Sequence, residues 1–237
     1  MLNMDDVKTP GFRLVSDAFK KYCGVNCYEV SLREWEYCGA VLWCGILQDT
    51  RPMVEVVDVG CGGSLLSEFL AKLGYNVAAC DTAGAAAGMQ RDKAHNVSIE
   101  RADMCMTALK YESNSFDYVF CISAIEHVNA GRFAIPGMAF DEGDGLALKE
   151  LERILKPGGI LILTTDISYK YVPPPGLWPT GSHRIYDEET LLDRIRKNTA
   201  LVSPHSINLD FPWETVKEVQ PRGYDYTECL LKLTKLS

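Results

Sequence analysis

The chain has 237 residues, 47% hydrophobic and 24% charged, which suits one globular domain with a full core. Its net charge is −8, and basic groupings such as Lys20–Lys21 and Arg194–Lys197 are short and flanked by acids. That balance excludes a general nucleic-acid binder, which neutralises phosphates with clustered cations, and no apolar run nears the roughly 18 residues of a membrane-spanning helix.

The amino terminus, MLNMDDVKTP, is acidic and polar, unlike a signal peptide, so a cytoplasmic location is expected. Residues 12–22, FRLVSDAFKKY, space their apolar residues as a short amphipathic helix. Ser31 and Glu34 form a capping box for a second helix, which the pattern carries to Leu47. Its Trp35, Tyr37 and Trp43 read as packing residues, with a lid over a ligand as the alternative. Residues 1–50 thus form a helical cap that Arg51-Pro52 ends.

Nine cysteines, an odd number, read as reduced thiols of a cytosolic core. Cys23-x3-Cys27 does not extend to a C-x3-C-x2-C cluster motif, because Val30 stands at the third position. Zinc held by Cys23, Cys27, Cys38 and Cys44 is a rival reading. Cys38 and Cys44 lie six apart in a helix and do not share a face, so no metal site is expected.

Val54–Ser64 reads V-E-V-V-D-V-G-C-G-G-S: a β-branched run, an acid, then a glycine turn. Leu65–Leu73 follows with helical spacing. Strand, turn and helix in this order make a nucleotide-binding crossover. The dinucleotide fingerprint ends on a third glycine, and Leu65 occupies that place. Asp58 ends the strand two residues before Gly60, where a carboxylate repels a pyrophosphate but suits a cation. S-adenosylmethionine (SAM) carries a sulfonium and an ammonium and no phosphate. An ordinary tight turn and a nicotinamide site are the competing readings.

Asn76–Cys80 is the second strand, and Asp81 at its end can accept from both ribose hydroxyls. Thr82 opens a run of small residues that leaves room for ribose and adenine. Val97–Arg101 reads as a third strand with Asp103 and Met104 after it. Phe116–Ile122 is apolar on both faces and therefore central. Ser123–Val128, S-A-I-E-H-V, leaves its carboxyl end, where open α/β sheets bind ligands. An irregular loop, 129–145, precedes a helix over Asp144–Leu155. Lys156–Gly159 turns into a fifth strand, Ile160–Thr165, and residues 168–183 form a second irregular stretch. Asp187–Lys197 is an amphipathic helix with Leu191, Leu192 and Ile195 inward. Ala200–Leu209 and Thr227–Leu236 read as two closing strands.

D-V-G-C-G-G-S-L-L-S-E, Asp81, Phe116–Val128 and L-K-P-G-G-I-L-I-L-T-T together resemble the class I SAM-dependent methyltransferases. The likeness is to the type 11 group, which includes ubiquinone-biosynthesis O-methyltransferases, and spans about residues 52–166. It implies an α/β, Rossmann-like doubly wound fold, with a seven-stranded sheet in order 3-2-1-4-5-7-6 and strand 7 antiparallel. It implies SAM as cofactor and S-adenosylhomocysteine as product. Gly60, Cys61 and Gly62 are expected at the methionine part, Asp81 and Thr82 at ribose, and Asp103 with Met104 at adenine. Ile122 and Ser123 are expected along the cofactor edge. Asp58 orders the turn or meets the ammonium.

The expected reaction is methyl transfer to a small-molecule oxygen or nitrogen. A protein methyltransferase and a non-catalytic SAM-binding protein are the alternatives. The loops 129–145 and 168–183 leave the carboxyl ends of adjacent strands and should form the acceptor site. Phe133, Phe140, Tyr169, Tyr171 and Trp178 offer it walls, and Asp141, Asp166 and His183 polar anchors. Histidine titrates near working pH, so His127 and His183 are the candidate bases. The bland reading makes His127 structural and His183 a surface histidine. The acceptor and the oligomeric state are not legible.

Overall fold

The computed structural model describes residues 8–24, 31–63, 65–82, 98–173, 183–203 and 227–236. Helix α1 (Pro10–Cys23) begins at Thr9, whose hydroxyl accepts from the Phe12 amide, with Pro10 in the first turn. It ends on Gly24 in the left-handed region (φ 67°). Helix α2 (Ser31–Cys44) stops three residues before the expected Leu47. Gly45 takes φ 83° there and redirects the chain into a 3₁₀ turn, Ile46–Gln48. The side chains of the expected capping box lie outside the described residues.

The sheet uses β1 (Glu55–Val59), β2 (Asn76–Asp81), β3 (Glu100–Asp103), β4 (Phe116–Ile122), β5 (Leu155–Ile167) and β6 (Thr227–Thr234). Its order is β3-β2-β1-β4-β5-β6, with the first five parallel and β6 antiparallel to β5. Helices α3 (Leu65–Lys72), α4 (Gly143–Ile154) and α5 (Glu188–Asn198) complete the architecture. Helices α1–α3 pack on one face with Val56, Val77, Phe120 and Ile162. Helices α4 and α5 pack on the other with Val57, Val119, Leu161 and Leu163. This alternation along each strand is what covering both faces of a parallel sheet demands.

Three boundaries differ from the sequence reading. β3 pairs Ala78–Asp81 with Glu100–Asp103, so Asp103 is the last strand residue and not part of a following loop. Lys156–Gly159 lies within the span of β5 as a bulge: Phe116 pairs with Leu155, but Tyr118 pairs with Ile160. Gly158 (φ 77°) donates to the Lys235 carbonyl, and the Lys235 amide returns a bond to Gly159. The helix expected from Asp144 begins at Gly143, which shortens the preceding loop. Of the closing strand expected at Ala200–Leu209, Val202 bridges Thr234 antiparallel, and residues 204–209 lie outside the described set.

The amino-terminal edge of the sheet is tied by charges. Asp117 on β4 accepts from Arg51 (2.5 Å), Lys156 (2.7 Å) and the Glu55 amide (3.0 Å). Arg51 also grips Asp49, which accepts from the Tyr118 hydroxyl (3.0 Å). The Arg51 hydrogen bond holds the Asp49 carboxyl well below the usual carboxylate range. Burial pushes Asp117 up, but bonds from Lys156, the Glu55 amide and Arg51 outweigh it and leave the carboxyl lowered. No disulfide joins two of the eight described cysteines, and no described helix is long and apolar enough to cross a membrane.

Candidate active site

The site is built at the carboxyl edge of the parallel strands. β1 ends in a turn whose Gly60 and Cys61 amides both donate to the Cys80 carbonyl of β2 (2.8 and 3.1 Å). Gly60 takes φ 77°, and a Cβ there would lie 2.4 Å from Cβ of Ala124. Both the backbone angle and the close approach of the β4 end require glycine. The Asp81 carboxylate reaches back from β2 and accepts from the Gly62 amide at 2.9 Å. Asp58 is buried and accepts from the Ser67 hydroxyl at 2.6 Å, which fixes the first turn of α3 against β1.

Asp81 and Asp103 are paired residues at the ends of neighbouring strands. Met104 donates its amide to the Asp81 carbonyl (3.2 Å), and its side chain packs on the adjoining core. Thr82 is exposed beside them. The acids that the resemblance assigns to ribose and adenine therefore share one edge with the glycine turn.

Across β1, β4 ends at Ile122, buried and paired with Thr164 of β5. Ser123 then adopts φ 45°, a left-handed conformation that costs a non-glycine residue energy. Its amide donates to the Thr164 carbonyl and hydroxyl (3.2 and 2.9 Å). Its own hydroxyl donates to Glu36 of α2 at 2.5 Å, and Thr164 donates to the same Glu36 oxygen at 2.5 Å. From the opposite face, Thr165 donates to the buried Glu126 at 3.1 Å. Two buried carboxylates thus flank the ends of β4 and β5.

The two candidate bases meet here. Their ring centroids are 5.2 Å apart, although they lie 56 positions apart in the chain. His183 is buried with Nε2 3.3 Å from Asp166 Oδ2, at the end of β5. His127 closes a 3₁₀ turn, Ile125–His127, with Nε2 4.0 Å from Glu126 and an edge contact to Phe133 at 6.1 Å. A histidine that lies near a carboxylate and beside a second imidazole can take a proton from a bound hydroxyl or amine.

Arg184 anchors this edge. Its amide donates to the Glu126 carbonyl, and its buried guanidinium donates to the carbonyls of Ile125, Val128 and Phe140 (3.2, 2.8 and 2.9 Å). Asp144 lies 3.9 Å from Nε and accepts from Tyr186. Asn129, at φ 55°, accepts from the Ile135 amide and donates to the Ala139 carbonyl (2.7 Å each). The stretch after β4 is therefore packed and hydrogen-bonded.

Of the expected acceptor walls, Phe133 lies beside His127, while Phe140 and Tyr169 are exposed. Tyr171 packs on the α4/α5 face beside Tyr186 (6.2 Å), and Asp141 pairs with Arg194 (3.0 Å). Trp178 lies outside the described residues. Glu36, Thr164 and Arg184 were not singled out from sequence. Glu36 had a signal: an acid one turn before Ala40, on the buried side of an apolar helix. Arg184 had none, because its acceptors are backbone carbonyls of distant residues.

A doubly wound sheet with this glycine turn and paired strand-end acids defines a Rossmann-like fold of the methyltransferase kind. Residues 57–163 match a family model described as a methyltransferase domain, Methyltransf_11. Over 118 residues the chain is 35% identical to a ubiquinone biosynthesis O-methyltransferase of Xanthomonas campestris pv. campestris (strain B100). That alignment covers 48% of this chain and 44% of the relative, so the chain matches less than half its length. Geranyl diphosphate C-methyltransferase from Streptomyces coelicolor A3(2) has a TM-score of 0.62 at 14% identity, over 96% of this chain and 99% of that one. Haemonchus contortus phosphoethanolamine N-methyltransferase 2 also gives 0.62, at 15% identity, over 100% of this chain and 61% of that one. These low identities speak to the fold.

Proposed function

We propose that the protein transfers the methyl group of SAM to an oxygen or nitrogen of a small-molecule acceptor and releases S-adenosylhomocysteine. The observation that carries this reading is the Gly60–Gly62 turn, held by Asp81 and flanked by Asp103, inside a matched methyltransferase domain. The residues fit the cofactor: Gly60 and Gly62 leave the turn without side chains, and strand-end carboxylates suit ribose hydroxyls, an adenine amine and a cation. Gly60, Cys61 and Gly62 would hold the methionine part, Asp81 and Thr82 the ribose, and Asp103 with Met104 the adenine. Ile122 and Ser123 would border the sulfur, with Asp58 stabilising the turn. SAM supplies the activated methyl, so the chain's task is to bind, align and exclude water.

In the transfer, the acceptor's lone pair forms the new bond to the methyl carbon as the carbon–sulfur bond breaks. The acceptor's proton passes to His183, which lies 3.3 Å from Asp166, and His127 borders the acceptor beside Phe133. The packed edge around Arg184 favours an enclosed site for a small molecule over a groove for a protein. The antiparallel bridge from Val202 to Thr234 supports the reading of a further strand on the outer side of β6, and a cytoplasmic site of action is part of the same proposal.

Trideuteromethyl SAM offered with a panel of small phenols, carboxylates and amines tests this by mass spectrometry. One acceptor gaining the label is the expected result, and no transfer to any acceptor, with SAM bound throughout, contradicts it. With an acceptor in hand, His183→Ala should lower kcat by about 10²-fold, the usual worth of a general base. His127→Ala should lower it about tenfold. Both should leave SAM affinity within about threefold, the signature of groups acting in the transition state.

A further inference from the structure

Buried acids are costly unless hydrogen-bonded, and a helix that carries one on its packed side has a specific partner for it. Glu36 is such an acid. It sits on α2, outside the matched domain, with 1% of its surface exposed. One of its oxygens accepts from two hydroxyls, Ser123 on the turn after β4 and Thr164 on β5.

Ser123 is the residue that needs holding. At φ 45° it is one of three described non-glycine residues with positive φ. Such a conformation persists only where its surroundings over-determine it, and it occurs preferentially at functional sites. Three hydrogen bonds fix it: two from its amide to Thr164 and one from its hydroxyl to Glu36. Thr164 is in turn oriented by Glu36, so the carboxylate acts on Ser123 directly and through its neighbour.

We infer that Glu36 is a positioning residue: it locks the left-handed Ser123 turn and thereby makes the amino-terminal helix part of the SAM site. The inference rests on the reading of the β4 end as the cofactor edge. At these two hydroxyls the carboxylate acts through reach and one accepting oxygen, not through net charge. Glutamine keeps both; aspartate keeps the charge and loses one methylene of reach.

Calorimetric titration of the full chain with SAM and with S-adenosylhomocysteine separates these cases. Glu36→Gln should bind both within about threefold of wild type. Glu36→Asp should bind both about tenfold more weakly, equally for sulfonium and thioether, since geometry and not charge is lost. Thermal unfolding of each variant reports any purely structural cost, and an affinity loss restored by glutamine is not one. In a Ser123→Gly background, where the left-handed turn is unstrained and the hydroxyl absent, Glu36→Asp should change affinity less than twofold, as coupled residues do. Equal binding by wild type and Glu36→Asp overturns the inference and leaves the SAM reading intact. So do loss in Glu36→Gln and additive effects in the double variant. A wild-type protein that binds neither ligand overturns both.

Discussion

Gly60 carries the strictest steric demand in the site. Its φ of 77° and the 2.4 Å gap that a Cβ would leave to Ala124 cannot both be relieved by a side-chain shift. Gly60→Ala should destabilise the fold by about 1–3 kcal/mol and displace the turn from Asp81. Calorimetric unfolding paired with S-adenosylhomocysteine titration checks it; unchanged ligand affinity would contradict the assignment. This glycine was legible in the sequence because it closes an apolar, β-branched strand, where a sharp turn at positive φ demands glycine. Arg184 was not, since its three carbonyl acceptors lie 44 to 59 positions away. Arg184→Met removes all three bonds and leaves Asp144 buried beside less positive charge. A loss of about 3–5 kcal/mol follows, at roughly 2–4 °C of Tm per kcal/mol for a chain of this size. A midpoint within 2 °C of wild type, roughly one kcal/mol, would show that the guanidinium is dispensable.

Among the elements, β1 and β4 were read closely because both their faces are buried and β-branched, aromatic and other apolar residues dominate their sequences. β3 was shifted, because a four-residue edge strand, Glu-Arg-Ala-Asp, has neither alternation nor an apolar run to mark it. The KPGG bulge was read as a turn outside β5, since a bulge pinned by Lys235 across the sheet leaves no local signature. The segment joining α2 to β1 is clamped by Asp49, Arg51, Asp117 and Lys156. Arg153 likewise lowers Glu150, from α4. A carboxyl lowered in the folded state stabilises above its unfolded value, near 4, and that stabilisation is lost as pH falls through the folded value. The unfolding midpoint should therefore be flat from pH 7 to about 5 and fall steadily below about 4. Asp117→Asn should lower the midpoint at pH 7 and make the acid decline shallower. A decline as steep as wild type's would assign the acid sensitivity to other groups.

At the scale of the molecule, the candidate site is an assembly of distant segments on one sheet edge. The glycine turn and Asp81 were legible because each closes its own strand, whereas Asp103 was placed two residues beyond a strand that it in fact ends. That His127 and His183 would share one site was expected from adjacent strand ends, but their direct ring contact depends on the segment 183–186 returning beside β5, where Tyr186 pairs with Ile167. The link from α2 to Ser123 was not legible, because it joins residues 87 positions apart. The central claim is that this edge binds SAM through the Gly60–Gly62 turn and Asp81. Isothermal titration of the purified chain with SAM and S-adenosylhomocysteine, beside Asp81→Ala, tests it most directly. Wild type should bind both ligands with micromolar affinity, and Asp81→Ala should lose at least tenfold, about 1.4 kcal/mol. Absence of binding to either ligand by the folded wild-type protein, or equal affinity in Asp81→Ala, would contradict it.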